Sequence, residues 1–472
     1  MVASECAPFA KTGGLADAVA GLSSALVRLG HEITLMLPGY RGLSADAADA
    51  GYVFVPVQHG DASGAGYPMR TVQLRELKTA DGVRLILADD PVFSTRETFY
   101  GEGGTDYHDN ASRFALLSRT ALQFAVQERF DILHAHDWHA SLAPVYLKTR
   151  YAGVAAAPRG SVFTIHNLAF QGLFDVGDMP MMDLDQSLFS IDGLEYWGRA
   201  SAMKGGCVFA DVVTTVSPSY ARETIETELG FGFQGILKSR GDRYVGILNG
   251  IDTEVWNPET DTYLPRRYSA SDLSGKTAAR QDVLRAFGIE NDERPLIGMV
   301  TRLAHQKGTD LVRAVMTDLL HRASLVLLGA GDPPLEHAWM HLADQHPGQI
   351  GVRIGFDERL AHLIEAGADM FLMPSRYEPC GLNQMYSLRY GTPPIVHAVG
   401  GLNDTVNASN GFKFDEPTPE ALQASIATAV EIWGDTRKWR RMQREGMKAD
   451  FSWDRSAREY VKVYRAALRK RA

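Results

Sequence analysis

The sequence predicts an α/β protein built from two doubly wound parallel sheets, and three observations carry that prediction. At 472 residues the chain exceeds one ordinary core and suits two domains of typical size. Short apolar runs alternate with amphipathic stretches along its whole length, the rhythm of βαβ units. That rhythm is interrupted once, near the middle, by a polar stretch bearing proline.

In the first half the apolar runs fall at 32–37, 83–88, 132–134, 162–165 and 212–216. The second half repeats them at 296–300, 324–328, 370–373 and 394–397. Runs of this kind suit parallel strands, which are covered on both faces. Between the halves a strand-like 245–248 leads into Asn249-Gly250-Ile251-Asp252 and a polar segment ending near Pro258, which predicts a hinge. The expected domains are therefore 1–243 and 244–452. In 453–472, Ala457, Tyr460, Val461, Val463, Tyr464 and Ala467 recur at helical spacing, so a closing helix is expected to return to the first domain.

With 45% hydrophobic and 22% charged residues, the composition is that of a globular chain rather than a disordered or membrane one. The net charge of −9 disfavours a broad nucleic-acid surface and leaves a neutral polymer, or a small anion in a locally basic pocket, as the expected partner. Cys6, Cys207 and Cys380 are few and far apart, which fits a reducing compartment without disulfides. No basic-then-apolar leader and no run of membrane-spanning length is read, so the expected address is the cytoplasm, with no membrane partner. Strands usually run about 5–6 residues, so 1–3 is short for a central first strand and the start is expected to be truncated.

The candidate chemistry sits where strands are expected to end. Lys11-Thr12-Gly13-Gly14 stands before an amphipathic run; such a turn aims backbone N–H groups at an anion, although a plain tight turn explains the same residues equally well. Asp137, in His134-Ala135-His136-Asp137-Trp138-His139, follows a strand at the usual ligand address of open α/β sheets. Three close histidines suggest a metal, but the cluster lacks cysteine and a second ligand group, so no metal is expected. His166 opens His166-Asn167-Leu168-Ala169-Phe170-Gln171-Gly172 after another strand, with Asn167 and Gln171 suited to sugar hydroxyls. Arg302 and Lys307 flank one loop and could share a diphosphate, against the plain reading of a solvated loop. Glu378-Pro379-Cys380-Gly381-Leu382 leads into a helix, where backbone N–H groups suit a phosphate and the carboxylate a sugar. Cys380 reads as a small packing residue rather than a nucleophile. Ser274-Gly275-Lys276-Thr277 imitates the end of a P-loop, but Ala270 stands where its first glycine should and no strand precedes it.

Taken in order, Lys11–Asp17, His134–His139, His166–Gly172, Arg302 to Gly308 and Glu378–Leu382 closely resemble bacterial glycogen synthases and plant starch synthases, over nearly the whole chain. The resemblance implies a GT-B fold, two Rossmann-like domains facing a central cleft, and a retaining glucosyltransferase. The implied donor is ADP-glucose and the implied acceptor the non-reducing end of glycogen or another α-1,4-glucan, with no cofactor. By the same carry-over Lys11, Gly13 and Gly14 face the donor, Asp137 and His166 line the glucose site, and Arg302 and Lys307 bind the diphosphate. Glu378 holds the donor sugar, the backbone at Gly381 and Leu382 meets the distal phosphate, and Cys380 is counted in the donor-binding set. Asn249 joins the donor-binding set, and Phe356 matches a family aromatic, commonly tyrosine, lying against adenine. Two departures stand out: Tyr386 occupies the place of a second glutamate found in related retaining transferases, and the family has a full strand before Ser4-Glu5. The resemblance implies front-face displacement, in which positioning and stabilisation of the leaving diphosphate do the catalysis and no nucleophile is assigned. The competing readings are a GT-B transferase using UDP-glucose or another acceptor, a GT-B isomerase of nucleotide sugars, and an inactive glucan-binding scaffold.

Overall fold

The computed structural model describes residues 1–56, 69–290 and 293–469. Two compact units divide it: 1–216, 221–250 and 453–472 form the first, 217–220 and 251–452 the second.

The first unit is built on a parallel sheet in which the chain's first residues are central. Val2 bridges in parallel to both Met36 and Ala135, joining Thr34–Pro38 on one side to Ile132–His136 on the other. Outward from these lie Arg84–Asp89 on the first side and Gly160–Ile165, Val212–Thr215 and Tyr244–Gly246 on the second. Counted along the chain, the order is third, second, first, fourth, fifth, sixth and seventh, with the switch point where Val2 meets Ala135. Tyr244–Gly246 pairs with Val212–Thr215, so the unit extends to Gly250, past the expected boundary at 243. The parallel strands are buried on both faces, which is why they read as apolar runs.

Two further strands depart from the expected βαβ rhythm. Ala48–Pro56 and Met69–Lys78 pair antiparallel with each other, and the latter with Arg84–Asp89. Val53, Val55, Val72 and Leu74 point inward while Tyr52 and Phe54 face solvent, the alternation of a half-covered sheet.

The helix Trp453–Leu468 packs along Gly14–Arg28. Gly21 allows this, because a Cβ there would lie 2.0 Å from the Trp453 indole nitrogen. Ala457, Tyr460, Val463 and Ala467 are buried against the sheet. The expected helix ran to Ala472; residues 470–472 lie outside the described set.

The second unit holds six parallel strands in the order Ile350–Ile354, Ser324–Gly329, Leu296–Val300, Met370–Met373, Pro394–His397, Phe412–Phe414. By chain position this is 3-2-1-4-5-6, the order of a Rossmann sheet, with its switch point between Leu296–Val300 and Met370–Met373. The P-loop look-alike lies in the first turn of helix Ser274–Phe287. Its Lys276 is buried, donating to the carbonyls of Ala366 and Tyr390 and to Thr392 Oγ1. That lysine ties the helix to its own unit. Among the described residues no helix is long and apolar enough to cross a membrane.

Candidate active site

At the switch point of the first sheet the chain leaves Val2 through Ser4-Glu5 and, further on, leaves Ile132–His136 at Asp137. Asp137 adopts φ 54°, a left-handed conformation that aspartate tolerates better than most residues. This turns its carboxylate to the neighbouring strand end, where Oδ1 accepts from the backbone N–H of His166 at 2.7 Å and of Asn167 at 3.4 Å. Burial pushes the Asp137 carboxyl up to about 7, against the pull of those two hydrogen bonds and with the nearby Glu5 charge adding to the rise. Burial lowers His166 to about 3, so its imidazole is neutral at physiological pH. The two residues meet at neighbouring strand ends, and the structure brings them together directly.

The other histidines serve this arrangement. His136 Nδ1 lies 3.1 Å from His166 Nε2, while His134 meets Thr164 Oγ1 at 2.7 Å and Tyr464 Oη at 2.9 Å. Burial lowers all three rings. Among the described residues no group of three or more His, Cys, Asp or Glu side chains is arranged to hold a metal ion.

The Lys11–Gly14 turn differs from its expected form. The N–H groups of Thr12 and Gly13 donate to the buried carboxylate of Glu5, at 2.6 and 3.3 Å, and the Thr12 hydroxyl joins them at 2.6 Å. The anion these donors hold is therefore internal. Tyr100 Oη donates to the same carboxylate at 2.6 Å, and its ring lies 4.8 Å from that of His139. Glu5 and Tyr100 thus belong to the cluster and escaped the reading of the sequence. Lys11 is half-exposed and paired with Asp17 at 2.7 Å, and Gly14 begins the helix. Asn249 is buried, its Oδ1 without a hydrogen-bond partner among the described residues.

In the second unit the two loops at the switch point meet. Lys307 closes a short 3-10 turn after Leu296–Val300, and its ammonium pairs with Glu378 Oε2 at 2.5 Å, with Ser375 Oγ donating to the same oxygen at 3.0 Å. Arg302 is held through Gln306, which also donates to the Tyr377 carbonyl, and Asn383 donates to the Val300 carbonyl. Two cations and one carboxylate are thereby fixed at one end of the sheet. Cys380 is buried, Gly381 has φ 71°, and Leu382 immediately precedes helix Asn383–Arg389. Phe356 is 85% exposed on the loop after Ile350–Ile354, its ring free to cover a flat partner. Tyr386 stacks on Trp256 at 3.8 Å, so this position serves packing within the unit rather than offering a carboxylate.

Two Rossmann-type sheets, each with charged loops at its switch point, form the two-domain architecture of the GT-B class. Residues 1–239 match the family model "Starch synthase catalytic domain", and 281–446 match "Glycosyl transferases group 1". The glycogen synthase of Koribacter versatilis (strain Ellin345) is 43% identical across 100% of this chain and 98% of its own length. That of Myxococcus xanthus (strain DK1622) is 45% identical, covering 98% of each chain. The catalytic domain of starch synthase IV from Arabidopsis thaliana, solved bound to ADP and acarbose, superposes with a TM-score of 0.88 at 33% identity, covering 99% of this chain and 98% of that one. The chain belongs to the glycogen and starch synthase family, and is a glycosyltransferase of glycogen biosynthesis.

The contact between the two loops of the second unit can be tested on Gly308. It has φ 64°, and a Cβ there would lie 2.1 Å from the Pro374 carbonyl oxygen. Gly288 has a similar φ of 66° but open space around it. Gly288→Ala should cost about 1–2 kcal/mol of backbone strain, and Gly308→Ala at least about 1 kcal/mol more, because the carbonyl must move too. Denaturant unfolding of both variants measures the gap. Equal losses would show that the Pro374 carbonyl yields freely.

Proposed function

We propose that this chain transfers glucose from ADP-glucose to the non-reducing end of an α-1,4-glucan with retention of anomeric configuration. The observation that carries the reading is the largely buried Lys307–Glu378 pair, whose lysine shares its loop with Arg302, at the Rossmann switch point. A nucleotide diphosphate leaving group needs cations where its charge develops, and a sugar needs a fixed acceptor for its hydroxyls. The two loops supply both.

In this reading Arg302 and Lys307 balance the departing diphosphate, and Glu378 accepts from donor-sugar hydroxyls. Gly381 and Leu382 bring backbone to the distal phosphate, with Cys380 packed beside them in the donor-binding set, and Phe356 lies against adenine. Asp137 and His166 line the glucose, with the neutral imidazole offering a hydrogen bond without adding positive charge next to the forming oxocarbenium. Lys11, Gly13, Gly14 and Asn249 complete the donor contacts; Glu5 sets the shape of the Lys11 turn by occupying its N–H groups. No nucleophile is assigned in this reading, and the new bond forms on the face the diphosphate leaves. The likeness to a synthase solved with ADP supports adenine over uracil.

Incubation with glycogen and labelled ADP-glucose should give incorporation strongly preferred over labelled UDP-glucose, and enzymatic digestion should find the new residue in an α-1,4 linkage. Equal or better use of UDP-glucose would sink the donor assignment, and a β-linked product the stereochemical one.

A further inference from the structure

Glu195–Tyr196 and Arg199–Ser201 form a hairpin in which Tyr196 pairs with Arg199, leaving Trp197-Gly198 as a two-residue turn. Both turn residues have positive φ, 51° and 80°, as in the type I′ turns that suit the twist of antiparallel strands. Such a turn selects asparagine, aspartate or glycine at its first position, and a bulky side chain there is an outlier. Here it is tryptophan, with 82% of its surface exposed. One edge of the indole approaches Gly232, where a Cβ would lie 3.2 Å from Nε1. A strained backbone that holds a large ring out to solvent points to a ligand rather than to the fold.

The hairpin is fixed to the loop that begins at His166. Tyr196 Oη accepts from Gln171 Nε2 at 3.1 Å, Ser201 Oγ donates to the Gln171 carbonyl at 3.0 Å, and Ala202 N–H to that of Gly172 at 3.0 Å. Leu173–Phe174 then pairs with Ala200 and Ser201. On the far side Gly172 packs against the Trp138 ring, next to Asp137; a Cβ there would come within 2.3 Å. Trp197 is thus held rigidly relative to Asp137 and His166, and Phe170 on the same loop is itself 58% exposed.

We propose that Trp197, tied to the loop that carries the exposed Phe170, is a stacking platform for the acceptor glucan, an inference that rests on the glucosyltransferase reading above. A glucose ring presents C–H groups on its faces and hydroxyls around its edge. An exposed indole covers the face, while Arg199 on the hairpin and Asp175 just after Leu173–Phe174, a solvent-exposed ion pair, offer hydrogen bonds to the edge. The partner is neutral and flat-faced, and the contact depends on no charge of its own.

Trp197→Asn tests the platform, because asparagine is the residue the turn prefers; Trp197→Phe keeps an aromatic face. Steady-state kinetics in glycogen and in ADP-glucose, calorimetric binding of maltoheptaose, and melting temperature are compared with the parent. Trp197→Asn should raise the KM for glycogen and the Kd for maltoheptaose roughly tenfold or more, leave the KM for ADP-glucose within about twofold, and melt no lower than the parent. Trp197→Phe should recover most of the glucan affinity. Unchanged glucan KM and Kd in Trp197→Asn would overturn the proposal, as would a lowered melting temperature with both KM values moving together, the mark of a purely structural residue. A parent that incorporates no glucose would sink the glucosyltransferase reading instead, and the maltoheptaose comparison would still decide the platform.

Discussion

Alanine in place of Lys307 or Arg302 should lower kcat with ADP-glucose and glycogen by roughly 10²–10³, with a smaller change in KM. The interaction with the diphosphate strengthens as the glycosidic bond breaks and negative charge collects on the leaving oxygen, so its loss falls mainly on the transition state. Lys307 carries a second burden. Its ammonium is 2.5 Å from Glu378, and both side chains are largely buried, so Lys307→Ala leaves that carboxylate facing Ser375 without its cation. The variant should therefore lose more than Arg302→Ala, whose guanidinium among the described residues is tied to the Gln306 amide oxygen at 3.3 Å. Lys307→Arg should also be impaired, because a planar fork cannot reproduce a point charge on a flexible stem. Since the cations come from the chain, wild-type activity should survive EDTA. Steady-state kinetics after a check of folding decides the matter: near-wild-type kcat in both alanine variants, or activity abolished by chelator and rescued by a divalent metal, would remove these residues from the mechanism.

How far the sequence discloses this molecule depends on how local each cause is. Strands such as Ser324–Gly329, buried at every position, stand out as apolar runs because both faces are covered. Ile350–Ile354 escapes the same reading: it lies at the sheet edge, where Arg353 and Ile354 are exposed and the run is broken. Ala48–Pro56 and Met69–Lys78 escape it for another reason, since alternation with aromatics outward resembles neither a parallel strand nor a helix face. Candidate loops were legible because the switch point of a doubly wound sheet is a general ligand address, and the motifs sit at strand ends. Glu5 was not, because its meaning lies in Tyr100, 95 residues away, and in two N–H groups that the sequence alone would offer to an external anion. Nor does any run of letters reveal the left-handed backbone at Asp137 or at Trp197.

That backbone at Asp137 makes one substitution unusually clean. Asparagine tolerates φ 54° as aspartate does, and its side-chain oxygen can still accept from the N–H of His166, so Asp137→Asn removes the charge and little else. The carboxyl ordinarily titrates near 3.8, and burial holds it at about 7 in the folded chain. Below 3.8 it is protonated whether the chain is folded or not, and costs nothing. As pH rises from 3.8 to 7 the unfolded chain gives up this proton while the folded chain keeps it, so the parent loses stability across that window; above 7 the loss is complete. Asp137→Asn escapes that loss. The variant should therefore match the parent in stability near pH 4 and exceed it at pH 8, by something on the order of 2–4 kcal/mol. The comparison isolates this one group, because the buried histidines, whose lowered pKa values weaken the fold toward acid, are common to both proteins. Activity should move the opposite way, with kcat at pH 8 down by roughly 10²-fold, because a neutral amide cannot stabilise positive charge developing at the glucose carbon. Denaturant unfolding at pH 4, 6 and 8, alongside steady-state kinetics, provides both readings. A stability difference that stays flat with pH would place the Asp137 carboxyl in an ordinary environment, and full activity in the asparagine variant would take its charge out of the chemistry.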